Sequence, residues 1–152
     1  MAAADSGGAD RAGHTVALVL FHLAFWVPLL ACTYLALIPD PPDNPVFRLS
    51  DVILHGAAFT YLTFALVLVL LSGRNAARPF LGIGLLSFAA MLGYGLFLEL
   101  VQYFIPERTA ELKDVMVDMV GIVIGLSLAW LLGRWIRDLV ANLSAGLLGW
   151  MR

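Results

Sequence analysis

The sequence predicts an all-α membrane protein: four transmembrane helices followed by a short C-terminal interfacial amphipathic helix. Two observations carry this. Of 152 residues, 61% are hydrophobic and only 13% charged. The apolar residues also gather into four runs too long for the core of a small soluble domain, each with at most one Asp, Glu, Lys, Arg or His. About 20 residues at a rise of roughly 1.5 Å cross the hydrocarbon core of a bilayer, so each run is long enough to span.

Residues 1–14 are small and polar and are expected to form a disordered cytoplasmic N-terminus. The first span is Val16 to Ile38, closed by Pro39, Asp40, Pro41, Pro42, Asp43, Asn44 and Pro45, because clustered prolines stop a helix and stiffen the linker after it. The second, Val52 to Leu71, ends at the short connection Ser72, Gly73, Arg74, Asn75. The third runs from Phe80 to Phe104, and a charged connection from Ile105 to Asp114 leads to the fourth, Val115 to Leu132. Residues 15–134 therefore read as one four-helix domain, with no repeat and no soluble domain beside it. In the tail, 135–152, Trp135, Ile136, Leu139, Val140, Leu143 and Leu147 form an approximate helical stripe opposite Arg137, Asp138 and Asn142, the pattern of an anchor on the cytoplasmic leaflet.

Flanking charge gives the orientation. Arg11, Arg74, Arg78, Arg134, Arg137 and Arg152 fall on one side of the bilayer and Arg48, Arg108 and Lys113 on the other. The excess belongs to the cytoplasm, so both termini are expected there and the first and third connections face outward.

Asp51, His55, Glu99, Gln102, Asp114 and Asp118 all lie near the outward ends of the second, third and fourth spans. Ionisable groups in a span are costly unless they pair or face a cavity, which makes them the first candidates for a functional site. His55, Glu99 and Asp118 sit roughly 5 to 8 Å below the outer boundary at the helical rise. Asp51 and His55, Glu99 and Gln102, and Asp114 and Asp118 are each three or four apart and share a helix face. Three helices thus line a cleft open to the outside, with Arg108 in the connection above it.

Asp51-x-x-x-His55, Gly95-x-x-x-Glu99-x-x-Gln102, Pro106-x-Arg108, Asp114 and Gly121-x-x-x-Gly125 occur in this order between Ser50 and Gly125. In these motifs the chain resembles the VanZ-like family of bacterial membrane proteins. It departs from the family pattern at Val52, where a basic residue is usual, and at Asp118, where asparagine is usual. The resemblance implies a multi-pass protein of the bacterial plasma (inner) membrane and a connection to the cell envelope. The family takes its name from a member associated with low-level resistance to the glycopeptide antibiotic teicoplanin. Carried over by position, Asp51, His55, Glu99, Gln102, Arg108 and Asp114 are the residues of interest, joined by Asp118.

Several functions are compatible with such a cluster. The leading expectation is binding or processing of a cell-wall or lipid headgroup, with Glu99 and His55 as the core, Arg108 on an anionic group, and the others as supports. The alternative is a structural or accessory protein whose polar residues fix helix packing, acting through a partner membrane protein or as a homo-oligomer. Whether the chain is an enzyme is left open, since no serine or cysteine stands in a recognisable nucleophile motif. No cofactor is implied. No metal is expected either, because H-E-x-x-H is absent and His55 has no second histidine nearby. A coupled transporter would need a continuous relay of ionisable groups, and the inner halves of the second to fourth spans have none. A net charge of −2 gives no footprint for nucleic acid.

Three smaller features remain. Gly121 and Gly125 form a small-x-x-x-small pair for close helix approach, with Gly93 and Gly95 of the third span as the expected partner surface. Cys32 is the only cysteine, so no intrachain disulfide forms, and the apolar run continues past it, against a lipoprotein cleavage box. His22, with no polar companion in sequence, is expected to be a packed neutral histidine.

Overall fold

A computed structural model describes residues 6–39, 51–72, 79–106, 111–133 and 135, with side chains from Thr15 onward in the first of these segments and from Val52 in the second. Its elements are α1 (Ser6–Leu37), α2 (Asp51–Ser72), α3 (Phe80–Gln102) and α4 (Leu112–Leu131). All four are long and apolar enough to cross a membrane, and there is no strand among the described residues. Arg108 and, apart from Trp135, the amphipathic tail expected over 135–152 lie outside the described residues. The backbone of α1 is already helical at Ser6, ten residues before the apolar run, because nothing from Ser6 to Thr15 is a proline that would stop it.

Helix ends follow local chemistry. Pro79 precedes α3 in an extended conformation, and its carbonyl accepts from the Gly82 and Ile83 amides. At the other end Tyr103, Phe104 and Ile105 turn back onto the carbonyls of Glu99, Val101 and Gln102 just before Pro106, two residues short of the helix end expected at Phe104. Glu111 opens α4 in an extended conformation with its carbonyl accepting from the Asp114 amide, which starts the helix ahead of the run expected from Val115. The Asp114 carboxylate in the first turn suits the positive end of the helix dipole.

α2 is the centre of the bundle. It packs on each of the other three helices, α3 packs on all three as well, and α1 and α4 make no contact among the described residues. Phe25, Phe59, Leu62, Ala65, Met91 and Ile122 form the larger buried cluster, and Val67, Ile83 and Ala129 a second one toward the other end. Outward, Leu23, Leu30, Leu81, Leu85, Leu100 and Val120 are all more than half exposed, an apolar exterior suited to lipid rather than water.

The packing of Gly121 and Gly125 corrects the expected partner. Both face α2, not α3: a Cβ on Gly121 would stand 2.7 Å from the Gly56 carbonyl oxygen, and one on Gly125 would stand 2.6 Å from that of Thr60. The reason lies in α2, where Gly56 and the small Thr60 leave backbone accessible on that face, and the Thr60 hydroxyl bonds to the carbonyls of Gly56 and Gly121. Gly93 meets nothing within 4 Å.

Interhelical bonds tie α1 to its neighbours. Pro28 lies inside α1 and has no N–H, so the Ala24 carbonyl one turn back loses its helical donor. The Tyr61 hydroxyl of α2 supplies it, at 2.8 Å. Thr33 of α1 bonds the Tyr94 hydroxyl of α3 at 2.8 Å. His22 is exposed on the outer face of α1 rather than packed, and its Nδ1 bonds the Leu18 carbonyl at 2.8 Å.

Candidate functional site

The antiparallel order of the helices brings the N-termini of α2 and α4 to the C-termini of α1 and α3. His55 lies four residues into α2, Asp118 six residues into α4, and Glu99 three residues before the end of α3. These positions share one level at one end of the bundle, as the sequence predicts.

Close contact between α2 and α4 converts that level into a bond. His55 Nδ1 lies 3.0 Å from Asp118 Oδ1. With Asp118 ionised its oxygen only accepts, so Nδ1 then carries the proton, and Nε2 makes no hydrogen bond among the described residues. Asp118 is 2% exposed, whereas the His55 side chain is 22% exposed. The buried acid therefore holds the ring, which is itself partly exposed. Gly95 of α3 completes the holder: a Cβ there would stand 2.8 Å from Asp118 Oδ2 and 3.3 Å from the Phe59 ring. Only a residue without a side chain leaves room for this carboxylate.

Glu99 is buried at 8% exposure. Its Oε2 accepts the backbone N–H of Glu111 at 2.9 Å, so this carboxylate fixes the start of α4 relative to α3. The other oxygen, Oε1, is buried and has no hydrogen-bond partner among the described residues. Such an atom is uncommon in a folded protein and asks for an explanation, an unseen ligand among them. Electrostatically the groups form one cluster: Asp114, Asp118 and Glu99 all act on the His55 ring, and His55, Asp114 and Asp118 all act on Glu99.

The expected residues separate into three groups. His55, Glu99, Asp114 and Asp118 fall in one electrostatic cluster, with Asp114 half-buried in the first turn of α4. Glu99 and Asp118 do not bond to each other; each takes its own donor. Gln102 does something else, donating from Nε2 to the Ala36 carbonyl at 3.0 Å. Ala36 lies in the last turn of α1, where carbonyls have no helical donor, so Gln102 serves as a cap and an α1–α3 tie. Asp51 is the first residue of α2, and its side chain, like Arg108, is outside the described set. Three contributors escape the sequence reading: Gly95 as the seat of a carboxylate, the Glu111 amide, and Tyr61. Pro28 is a usable signal for the last, since a proline inside a span always frees a carbonyl. A backbone amide has no sequence signal.

Chemically, the arrangement offers an imidazole held through Nδ1, a buried carboxylate oxygen without a donor among the described residues, and a half-buried acid coupled to both. No group of three or more His, Cys, Asp or Glu suited to holding a metal ion occurs among the described residues.

A family model described as VanZ/LLP1 matches residues 9–133, which takes in all of α2, α3 and α4 and nearly all of α1. No curated protein and no solved structure matches the chain.

Proposed function

The chain belongs to the VanZ/LLP1 family, and from that premise we propose that this multi-pass membrane protein binds or processes a cell-envelope component in a polar cleft between α2, α3 and α4. The setting is the bacterial plasma membrane. Both termini lie in the cytoplasm, on the side with six of the nine flanking Lys and Arg residues, and the cleft faces outward. Its ligand is a polar headgroup of a lipid or of a lipid-linked cell-wall unit. His55 Nε2 and Glu99 Oε1 contact it, Asp118 positions His55, Asp51 and Asp114 are supports, and Arg108 takes an anionic group of the ligand. Sensitivity to glycopeptides such as teicoplanin is a phenotype in which this function is expected to register.

One observation carries the reading: a buried carboxylate oxygen of Glu99 without a donor among the described residues, in the same electrostatic cluster as a histidine held by Asp118 through Nδ1. A purely structural network would be expected to close on itself. Polar contacts between spans contribute about 0.6 kcal/mol on average, which is small against the cost of burying ionisable groups from three helices.

A structural role is favoured for Gln102 alone, whose bond to Ala36 ends in backbone. An accessory role through a partner membrane protein or a second copy is the alternative for the whole chain. It predicts that altering Glu99 lowers abundance rather than activity. The test is complementation of a deletion strain by Glu99→Gln and His55→Ala, with envelope-antibiotic sensitivity and membrane abundance measured together. Lost rescue at normal abundance is expected; full rescue at normal abundance would remove the function from the cleft.

A further inference from the structure

We propose that the free oxygen of Glu99 receives a primary ammonium group, carried by the headgroup of a membrane lipid. The proposal rests on the proposed ligand-binding cleft and names the ligand class of that site.

The first observation is Glu99 Oε1 itself, buried and without a donor among the described residues. What it lacks is an N–H or O–H. The second is the charge around it. Asp114 and Asp118 both act on Glu99, and His55 is the one basic side chain among the described residues acting on it. His55 already spends Nδ1 on Asp118. Lys113 is exposed and contributes nothing to that cluster. A ligand whose leading group is an anion would meet three carboxyl groups and no donor at Oε1.

An ammonium group meets both needs. It has three donors and no acceptor, so it satisfies an acceptor-only oxygen and offsets the acidic surroundings without the coordination geometry a metal requires. That distinction matters, because the described residues do not offer three metal ligands together. The source is a lipid rather than a free amine because the site lies within two turns of one end of the spans, just beneath the level expected for headgroups, and the exterior around it is apolar. In a zwitterionic headgroup the phosphate then lies outside the acidic cluster.

The test uses the full-length protein in nanodiscs doped with fluorescent analogues of phosphatidylethanolamine, phosphatidylcholine or phosphatidylglycerol. Phosphatidylcholine keeps the positive charge but has no N–H. The expected result is a preference for phosphatidylethanolamine over both others of roughly tenfold, the worth of one charge-assisted hydrogen bond. The preference should disappear in Glu99→Gln and persist when millimolar ethanolamine is added. Equal or better binding of phosphatidylglycerol or phosphatidylcholine by the wild type overturns the proposal without any variant, as does a preference that survives Glu99→Gln. Displacement by soluble ethanolamine overturns the lipid source. If the preference is absent while Glu99→Gln still abolishes complementation, the ammonium fails and the cleft stands; if Glu99→Gln and His55→Ala complement fully, both fail.

Discussion

His55 Nδ1 and Asp118 Oδ1 meet at 3.0 Å across the seam between α2 and α4, and glycine makes the meeting achievable. Gly121 and Gly125 let the two backbones approach, while Gly95 leaves the space that the Asp118 carboxylate fills from the α3 side. The histidine pair is therefore a product of helix packing, and variants that alter the packing should alter the pair.

Gly121→Ala and Gly125→Ala place a methyl within 3 Å of α2 backbone oxygens, which cannot move aside as a side-chain end can. Each is expected to cost about 1–3 kcal/mol, read as a lower melting temperature of the purified protein. Gly93→Ala meets nothing within 4 Å and should be neutral or stabilising by up to about 1 kcal/mol through helix propensity. Equal effects at all three positions would contradict the assigned seam.

Gly95→Ala acts on the carboxylate directly, with its methyl 2.8 Å from Asp118 Oδ2. The Asp118 side chain must shift and the His55 bond lengthen. Rescue of a deletion strain is expected to fall severalfold further than membrane abundance. Parallel losses of both would mean that Gly95 matters only for packing.

Tyr61→Phe removes the donor to the Ala24 carbonyl, near the middle of both spans where lipid offers no substitute. The expected cost is about 1 kcal/mol. Pro28→Ala restores a helical N–H to that carbonyl, so Tyr61→Phe should cost much less in the Pro28→Ala background. A double-mutant cycle on melting temperature checks this, and additivity would mean that Tyr61 does not replace the missing bond.

Gln102→Leu removes the tie to Ala36 and should lower stability by about 0.6 to 2 kcal/mol. At matched abundance its complementation should remain normal. A specific loss of function would return Gln102 to the ligand site.

Much of this architecture is legible in the sequence. Four apolar runs predict the four helices, and distance from the span ends puts His55, Glu99 and Asp118 at one level, because rise per residue is constant. What spacing along single helices cannot give is rotation about neighbouring axes. That rotation decides that Asp118 takes His55 rather than Glu99, that Gly121 meets Gly56 of α2 rather than α3, and that Gln102 turns to α1. The partner of Glu99 is a backbone amide, which every residue but proline possesses, so its identity depends on where the connection places Glu111.

The most direct test of the cleft as a ligand site is mass spectrometry of the lipids and envelope precursors that remain bound to purified wild-type protein, compared with the Glu99→Gln, His55→Ala double variant at equal melting temperature. The account predicts at least one headgroup class held by the wild type and depleted at least tenfold in the variant, the scale set by one lost charge-assisted bond. The same bound molecules in the same amounts would contradict it and leave the polar cluster a packing device.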